Sequence, residues 1–242
     1  MHLTRTLAFA ASIAIVAAAC SSTSDAASDT TTTLEAPPTT VALAAVPAGY
    51  AGYRHQPTAC GADQPNPVVE MEFDAPGDAG IEAATTVVLA TSCGPLEIEL
   101  DPSVAPETVN SFVFLAESGF FDGSVSHRII PGFMMQAGDQ TATGIGGPGY
   151  TIPDEFPAES GYNRGVVAMA NAGPGTTGSQ FFIMFADGQL PPNYTIFGEV
   201  VDGLETLDRI EQLPLGRSAT SADPSPSTPL ESLYIESVTV SP

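Results

Sequence analysis

Residues 126–139 read SHRIIPGFMMQAGD, and they place Arg128 among apolar residues in a chain that has no lysine and only six arginines. A guanidinium is always charged, so a site that buries or half-buries one needs a reason. A Pro-Gly pair divides the run into two short arms. Arg128 on one arm and Phe133, Met134 and Gln136 on the other can therefore line one concave surface. On spacing alone, a core hairpin with one snorkelling arginine is the simpler interpretation.

Two further runs favour the functional interpretation. Residues 166–174 read VVAMANAGP, and residues 178–183 read GSQFFI. Together with residues 127–139, they resemble the two signatures of the cyclophilins, the family of peptidyl-prolyl cis/trans isomerases. The resemblance extends from about Thr85 to Val240. It implies a mainly β fold, a closed eight-stranded antiparallel β-barrel capped by two α-helices.

The resemblance also implies which residues act on a peptide. Arg128 is implied as the donor that stabilises the twisted amide of an X–Pro bond. A structural salt bridge between Arg128 and one of the many acids is the alternative. No metal or other cofactor is implied. The other implied positions bind substrate through a proline pocket or the peptide backbone, and ordinary core is the alternative for the apolar ones: Phe133, Met134, Gln136, Ala170, Asn171, Gln180, Phe182, Leu190 and Tyr194.

Several positions need separate interpretation. Tyr194 lies where many family members carry a histidine, and it keeps an aromatic wall with a polar tip. Ser126 replaces a phenylalanine that usually precedes the His-Arg pair, which predicts looser packing behind Arg128. Gln189 lies near the place of a tryptophan found in many eukaryotic members, and this chain has no tryptophan. His127 points to the opposite face from its neighbour in an alternating strand, so we expect a packed, hydrogen-bonded histidine.

These features predict a peptidyl-prolyl isomerase that accelerates X–Pro rotation in proline-containing segments of exported proteins and so assists their folding. No covalent intermediate is expected. A non-catalytic module that binds proline peptides in the same pocket is the alternative, and Ser126 and the missing tryptophan keep it open. The intact Arg128 favours the enzyme, because a pure binder has less need of an arginine there. An inert structural protein fits so complete a pocket poorly.

The composition limits the classes of partner. The chain has 28 acidic and 6 basic residues, a formal net charge of −22. Such a surface repels phosphate backbones and anionic headgroups, which excludes nucleic-acid binding. A solvated acidic surface without a partner is the simplest interpretation of the charge, and attraction to basic clients is the other.

The start of the chain predicts export. Residues 1–19 have the pattern of a signal peptide, and the apolar run at residues 7–19 is too short to span a bilayer. Residues 17–20 read AAAC and resemble a bacterial lipobox, although leucine is commoner than Ala17 at that position. We expect lipidated Cys20 to be the only membrane attachment, holding the protein outside the bacterial cell membrane. Secretion after ordinary cleavage is the alternative.

The remainder divides into three parts. Residues 20–47 are rich in Ser, Thr, Ala and Pro and bury too little apolar area to fold, so they predict a disordered tether. Residues 48–84 predict a partly ordered segment, and residues 85–242 the isomerase domain, expected to be a monomer. Cys60 and Cys93 predict a disulfide in an oxidising compartment. Two free thiols are the alternative, and two cysteines without clustered histidines argue against a metal site.

Periodicity predicts strands at residues 85–90, 96–100 and 233–240, together with two helices. The first helix is predicted over 106–118, with proline in its first turn and glycine after its end. The sequence DGLE at residues 202–205 resembles a capping box that opens the second helix. Residues 144–149 match G-x-G-x-x-G but follow no clear strand, so we expect a mobile loop beside the pocket.

Overall fold

The computed structural model describes residues 46–158, 161–218 and 221–241. The predicted leader, the lipidation site Cys20 and most of the tether lie outside these ranges. Within the described ranges, no helix combines the length and the apolar character needed to cross a membrane.

The described chain is mainly β. Its ten strands are β1 (Thr85–Thr91), β2 (Gly94–Leu100), β3 (Arg128–Ile130), β4 (Met134–Ala137), β5 (Val166–Met169), β6 (Phe181–Met184), β7 (Ile196–Asp202), β8 (Leu215–Gly216), β9 (Thr228–Pro229) and β10 (Ile235–Val240). Eight of them form one curled antiparallel sheet in the order β10–β1–β2–β7–β5–β6–β4–β3, and β8 pairs with β9 separately. Side chains alternate as predicted in β2, where Leu96, Ile98 and Leu100 are buried and Glu99 is exposed.

The prediction of a closed barrel is wrong, because the sheet is a half-barrel with β3 and β10 at its edges. Among the described residues these two strands do not pair with each other. The edge strand β3 has only three residues, and the Ile129 N–H donates instead to the carbonyl of Ser227 at 2.8 Å. A single antiparallel bridge between Val125 and Tyr234 lies near the gap. Backbone polar groups at the sheet edges thus find hydrogen-bond partners in loops, and they do not require pairing between β3 and β10.

The described helices are α1 (Gly49–Tyr53), a 3₁₀ turn (Ala59–Gly61), α2 (Pro106–Glu117) and α3 (Leu204–Glu211). The two predicted helices correspond to α2, which packs against β10, and α3, which packs against β2. The apolar stripe of α2 is buried in the core, as its period requires.

The starts of both predicted helices differ from simple capping rules. The capping box predicted for α3 is wrong, because Asp202 still belongs to β7 and the N-cap is Gly203, with φ of 90° and no side-chain cap. A β-carbon on Gly203 would lie 2.5 Å from the Pro95 carbonyl oxygen, so only glycine fits this tight turn. The N-terminus of α2 is capped from a distance. The Glu155 carboxylate accepts from the main-chain N–H of Thr108 at 2.9 Å and from its hydroxyl at 2.8 Å.

The segment before the sheet packs on the domain. Tyr53 is 1% exposed and clusters with Val125 and Tyr234. A disulfide joins Cys60 to Cys93 at the end of the β1–β2 hairpin. Residues 48–84 are therefore held by an apolar contact and by a covalent bond.

Candidate active site

Alternation along neighbouring strands separates core residues from site residues. Ile129, Met135 and Phe181 point into the main core. The register places Arg128 of β3 opposite Gln136 of β4, and Gln136 opposite Phe182 of β6. Because successive side chains in a strand point to opposite faces, these three form a row across the other face of the sheet. The sheet therefore fixes their spacing.

An apolar cluster lies at one end of this row. Met134 and Phe182 are buried, and the Phe182 ring packs edge-on against Tyr194 at 5.5 Å between centroids. Tyr162, which the sequence did not single out, supports this wall by donating its hydroxyl to the Tyr194 carbonyl at 2.8 Å. The cluster brings together the four residues expected to form the proline pocket, Phe133, Met134, Phe182 and Leu190, and two further residues expected to bind substrate, Ala170 and Tyr194. An apolar surface of this composition suits a pyrrolidine ring.

Polar groups continue the row in an ordered chain. Arg128 Nη1 donates to Gln136 Oε1 at 3.0 Å, and Gln136 Nε2 donates to Gln180 Oε1 at 2.8 Å. Gln180 Nε2 donates in turn to the Gly146 carbonyl at 2.9 Å. The two glutamines are therefore fixed beside the arginine, while their contact with a substrate backbone stays a prediction.

Asn171 lies at the edge of the site. Its Nδ2 donates to the Asn193 carbonyl at 2.9 Å, and its Oδ1 accepts from the Gly173 N–H at 3.1 Å. Both polar atoms of its side chain are thus used to shape the loop after β5. The expected contact between Asn171 and a substrate remains a prediction.

Arg128 has an acidic partner that the sequence did not identify. Its Nε and Nη2 donate to the two carboxylate oxygens of Asp223 at 2.8 and 2.6 Å. Hydrogen bonds from Arg128 hold the pKa of Asp223 at about 2, with smaller support from Ser227 and Ser221, despite partial burial. The ion pair weighed as an alternative for Arg128 therefore exists, and Arg128 still shares its face of the sheet with Phe182 of the apolar cluster.

The sequence and the fold agree with known proteins. The family model of the cyclophilin type peptidyl-prolyl cis-trans isomerases matches residues 86–240, well over half of the chain. The chain belongs to this family.

Curated relatives support the assignment. The probable peptidyl-prolyl cis-trans isomerase B of Mycobacterium leprae is 38% identical over 170 residues, covering 64% of this chain and 58% of that protein. The human peptidyl-prolyl cis-trans isomerase-like 3 is 41% identical over 160 residues, covering 64% of this chain and 95% of that protein. The cyclophilin region thus spans little more than half of the mycobacterial relative.

A solved structure shares the fold. The Cryptosporidium parvum cyclophilin type peptidyl-prolyl cis-trans isomerase has a TM-score of 0.59 and 34% identity, covering 66% of this chain and 98% of that one. A second structure of that protein was determined in the presence of the dipeptide Ala-Pro, and it has the same TM-score, with 35% identity.

The buried Ser126 of the cyclophilin domain forms a hydrogen bond. Its side chain is fully buried, and its hydroxyl donates to the Gln136 carbonyl at 2.9 Å. A buried hydroxyl with a partner has no unmet desolvation penalty. Ser126 therefore links the segment before β3 to the strand that carries Gln136, and the looser packing expected behind Arg128 stays a prediction.

The G-x-G-x-x-G loop of the cyclophilin site is organised by one carboxylate. Asp139 is fully buried, and its oxygens accept from the main-chain N–H groups of Thr141 at 2.8 Å and Gly144 at 2.7 Å. Burial alone would raise the pKa of Asp139, but hydrogen bonds from the hydroxyl and the N–H of Thr141 and from the Gly146 N–H, together with the nearby His127, lower it overall. The loop that receives the Gln180 amide is therefore anchored by an ionised side chain.

His127 departs from its prediction. Both ring nitrogens are buried without a hydrogen-bond partner among the described residues, although the residue as a whole is only partly buried. Burial lowers the pKa of His127 to about 4, with Asp139 raising it and Arg128 lowering it further. The packed histidine is confirmed, but its predicted hydrogen bond is absent from the described part of the chain.

We expect the stability of the domain to fall on acidification from pH 7 to pH 4, by up to about 3 kcal/mol through His127. The unfolded chain takes up a proton on this histidine near pH 6.5, whereas the folded chain takes it up only near pH 4. The native state therefore binds fewer protons in this window and loses stability as pH falls. Denaturant unfolding at several pH values measures the slope. His127→Gln should flatten it and the exposed His55→Gln should not, and equal slopes for both variants would contradict the prediction.

Proposed function

We propose that this cyclophilin is a peptidyl-prolyl cis-trans isomerase that acts on proline-containing segments of other proteins. One observation carries the proposal: Arg128, fixed by Gln136, lies in register with Phe182 of the apolar pocket. A charged donor next to a dry slot for a proline ring is the arrangement that this reaction requires.

The chemistry asked of the site is rotation about one bond. Amide resonance sets a barrier of roughly 18–20 kcal/mol for X–Pro rotation. A donor near the prolyl nitrogen favours the twisted form, in which the nitrogen lone pair has left the resonance, and so lowers the barrier. The pocket holds the ring while the preceding carbonyl turns. No bond is formed or broken, so no covalent intermediate arises.

The proposed clients are exported proteins that are still folding, met outside the bacterial cell membrane by a monomer anchored through lipidated Cys20. The apolar leader and the AAAC run at residues 17–20 support the anchor. The Cys60–Cys93 bond supports an oxidising compartment. Cell fractionation tests the location, because lipidation requires recovery in the membrane fraction, whereas recovery in the culture medium would favour ordinary cleavage.

Exchange spectroscopy on a short Ala-Pro peptide tests the activity. The purified chain should accelerate cis-to-trans exchange well above the uncatalysed rate at sub-stoichiometric concentration. Binding of the peptide without faster exchange would identify a proline-peptide-binding module. If the chain neither binds the peptide nor accelerates its exchange, the proposal is overturned.

A further inference from the structure

The loop between β8 and β9 enters the site through Asp223. A guanidinium has five N–H donors. Asp223 accepts from two of them, at 2.8 and 2.6 Å, and Gln136 accepts from a third. Among the described residues, the two N–H groups that remain on Arg128 lie one on each terminal nitrogen. They are the donors left for a peptide.

Asp223 is itself fixed by its surroundings. Its N–H donates to the Ser221 hydroxyl at 3.1 Å, and its side chain is only 13% exposed. Arg217 holds the main chain on both sides of the Asp223–Pro224 bond, donating to the two carbonyls at 2.9 and 2.6 Å. Ser227 ties the same loop to the strand of Arg128. Asp223 is thus held in place by several hydrogen bonds, unlike an exposed acidic side chain that happens to lie near an arginine.

We infer that Asp223 is a positioning residue for the isomerisation, because it fixes the plane of the Arg128 guanidinium and leaves its two remaining N–H groups in one orientation. The inference rests on the proposed role of Arg128. An arginine side chain has several rotatable bonds and loses rotamer freedom when it is held. A donor held before the reaction needs no reorganisation when the amide twists.

The opposite interpretation is that Asp223 covers Arg128 and inhibits the enzyme. The geometry favours positioning, because the Arg128 side chain is still 34% exposed with Asp223 in place. Asp223, Arg217, Arg128 and Gln136 line an open groove of about 970 Å³. That groove includes none of the proline-pocket residues that cluster around Phe182. The loop therefore flanks the catalytic arginine without filling the pocket, and the two interpretations predict opposite signs.

Kinetics of Asp223→Ala decide between them. We expect kcat for an Ala-Pro peptide to fall on the order of tenfold, since small misplacement of a catalytic group lowers rates strongly. KM should change by less than about threefold, because the pocket is untouched. Two control variants should keep wild-type kinetics: Ser225→Ala, in the same loop, and Asp208→Ala, which removes the ion pair with Arg164. Formate should restore part of kcat in Asp223→Ala and none in Arg128→Ala.

A nitrogen-15 NMR measurement gives a readout independent of turnover. The Arg128 Nε–H should exchange slowly with solvent in the wild type and fast in Asp223→Ala. If Asp223→Ala does not fold, Asp223→Asn decides. It keeps the side-chain size but breaks the two-oxygen pair, so a severalfold loss in kcat is expected.

The outcomes separate cleanly. Wild-type kcat in either folded Asp223 variant overturns the inference, and faster turnover would identify Asp223 as an inhibitory cover. A wild-type chain without isomerase activity overturns the proposed function itself, and the positioning role falls with it. The wild-type rate alone distinguishes these two failures.

Discussion

Replacing Arg128 with alanine should lower kcat/KM for an Ala-Pro peptide by about 100-fold, the usual effect of removing one preorganised donor from a transition state. The loss should fall mainly on kcat, because the proline ring still has its pocket around Phe182. Arg128→Lys keeps the charge but not the planar fork that Gln136 and Asp223 hold. We therefore expect Arg128→Lys to stay close to the alanine variant in activity.

Arg164→Ala is the matched control for Arg128→Ala. Arg164 has a similarly exposed side chain and pairs with Asp208 at 2.8 Å, but it belongs to no part of the proline pocket. Its kcat/KM should stay within about threefold of wild type, since exposed ion pairs contribute little. If Arg128→Ala kept half of the wild-type rate, rotation would have to be catalysed by the pocket alone.

The sequence predicts which residues of the candidate site share a face, because that grouping follows strand alternation. Once residues 126–139 are read as two arms around a turn, the period of two places Arg128 and Gln136 on one face and Ile129 and Met135 on the other. The pocket residues lie in ordered runs whose resemblance to the family is specific. These signals are local or belong to a sequence motif, so they do not depend on contacts between distant segments.

Features that depend on contacts between distant segments could not be predicted. The partner of Arg128 lies 95 residues further on, in a Ser/Pro loop. Among 28 acids, no local pattern selects Asp223. The cap of α2 comes likewise from Glu155, 47 residues beyond Thr108.

The half-barrel follows the same logic. Whether two edge strands pair depends on whether loops already provide hydrogen-bond partners for them. Here the Ser227 carbonyl accepts the hydrogen bond from Ile129 on the edge strand β3. A family resemblance carries the number and order of strands but not these partners. The Cys60–Cys93 pair is the exception among long-range contacts, because only two cysteines remain once Cys20 is assigned to the anchor.

Removing this disulfide should lower the stability of the domain by about 3–4 kcal/mol, the chain-entropy value for a loop of its length. The two cysteines are 33 residues apart, and the bond joins the segment before the sheet to the β1–β2 hairpin. Cys60→Ala combined with Cys93→Ala should therefore lower the Tm by roughly 10 °C. Both arms of the comparison carry Cys20→Ala, so that no free thiol can exchange.

The loss should be uneven along the chain, and that tests the structural reason. Without the bond, the early segment keeps its apolar contact through Tyr53 and hydrogen bonds such as Ala59 N–H to the Ser232 carbonyl at 3.0 Å, but it loses its one covalent link to the β1–β2 hairpin. Amide hydrogen exchange should therefore speed up first between residues 49 and 61, while β4 and β6 stay protected. The rate at which the double variant catalyses cis-to-trans exchange of the Ala-Pro peptide at 25 °C should stay close to that of the parent. Reductant should lower the parent to the Tm of the double variant and leave the variant unchanged. A double variant with the parent's Tm would mean that packing alone holds the segment on the sheet.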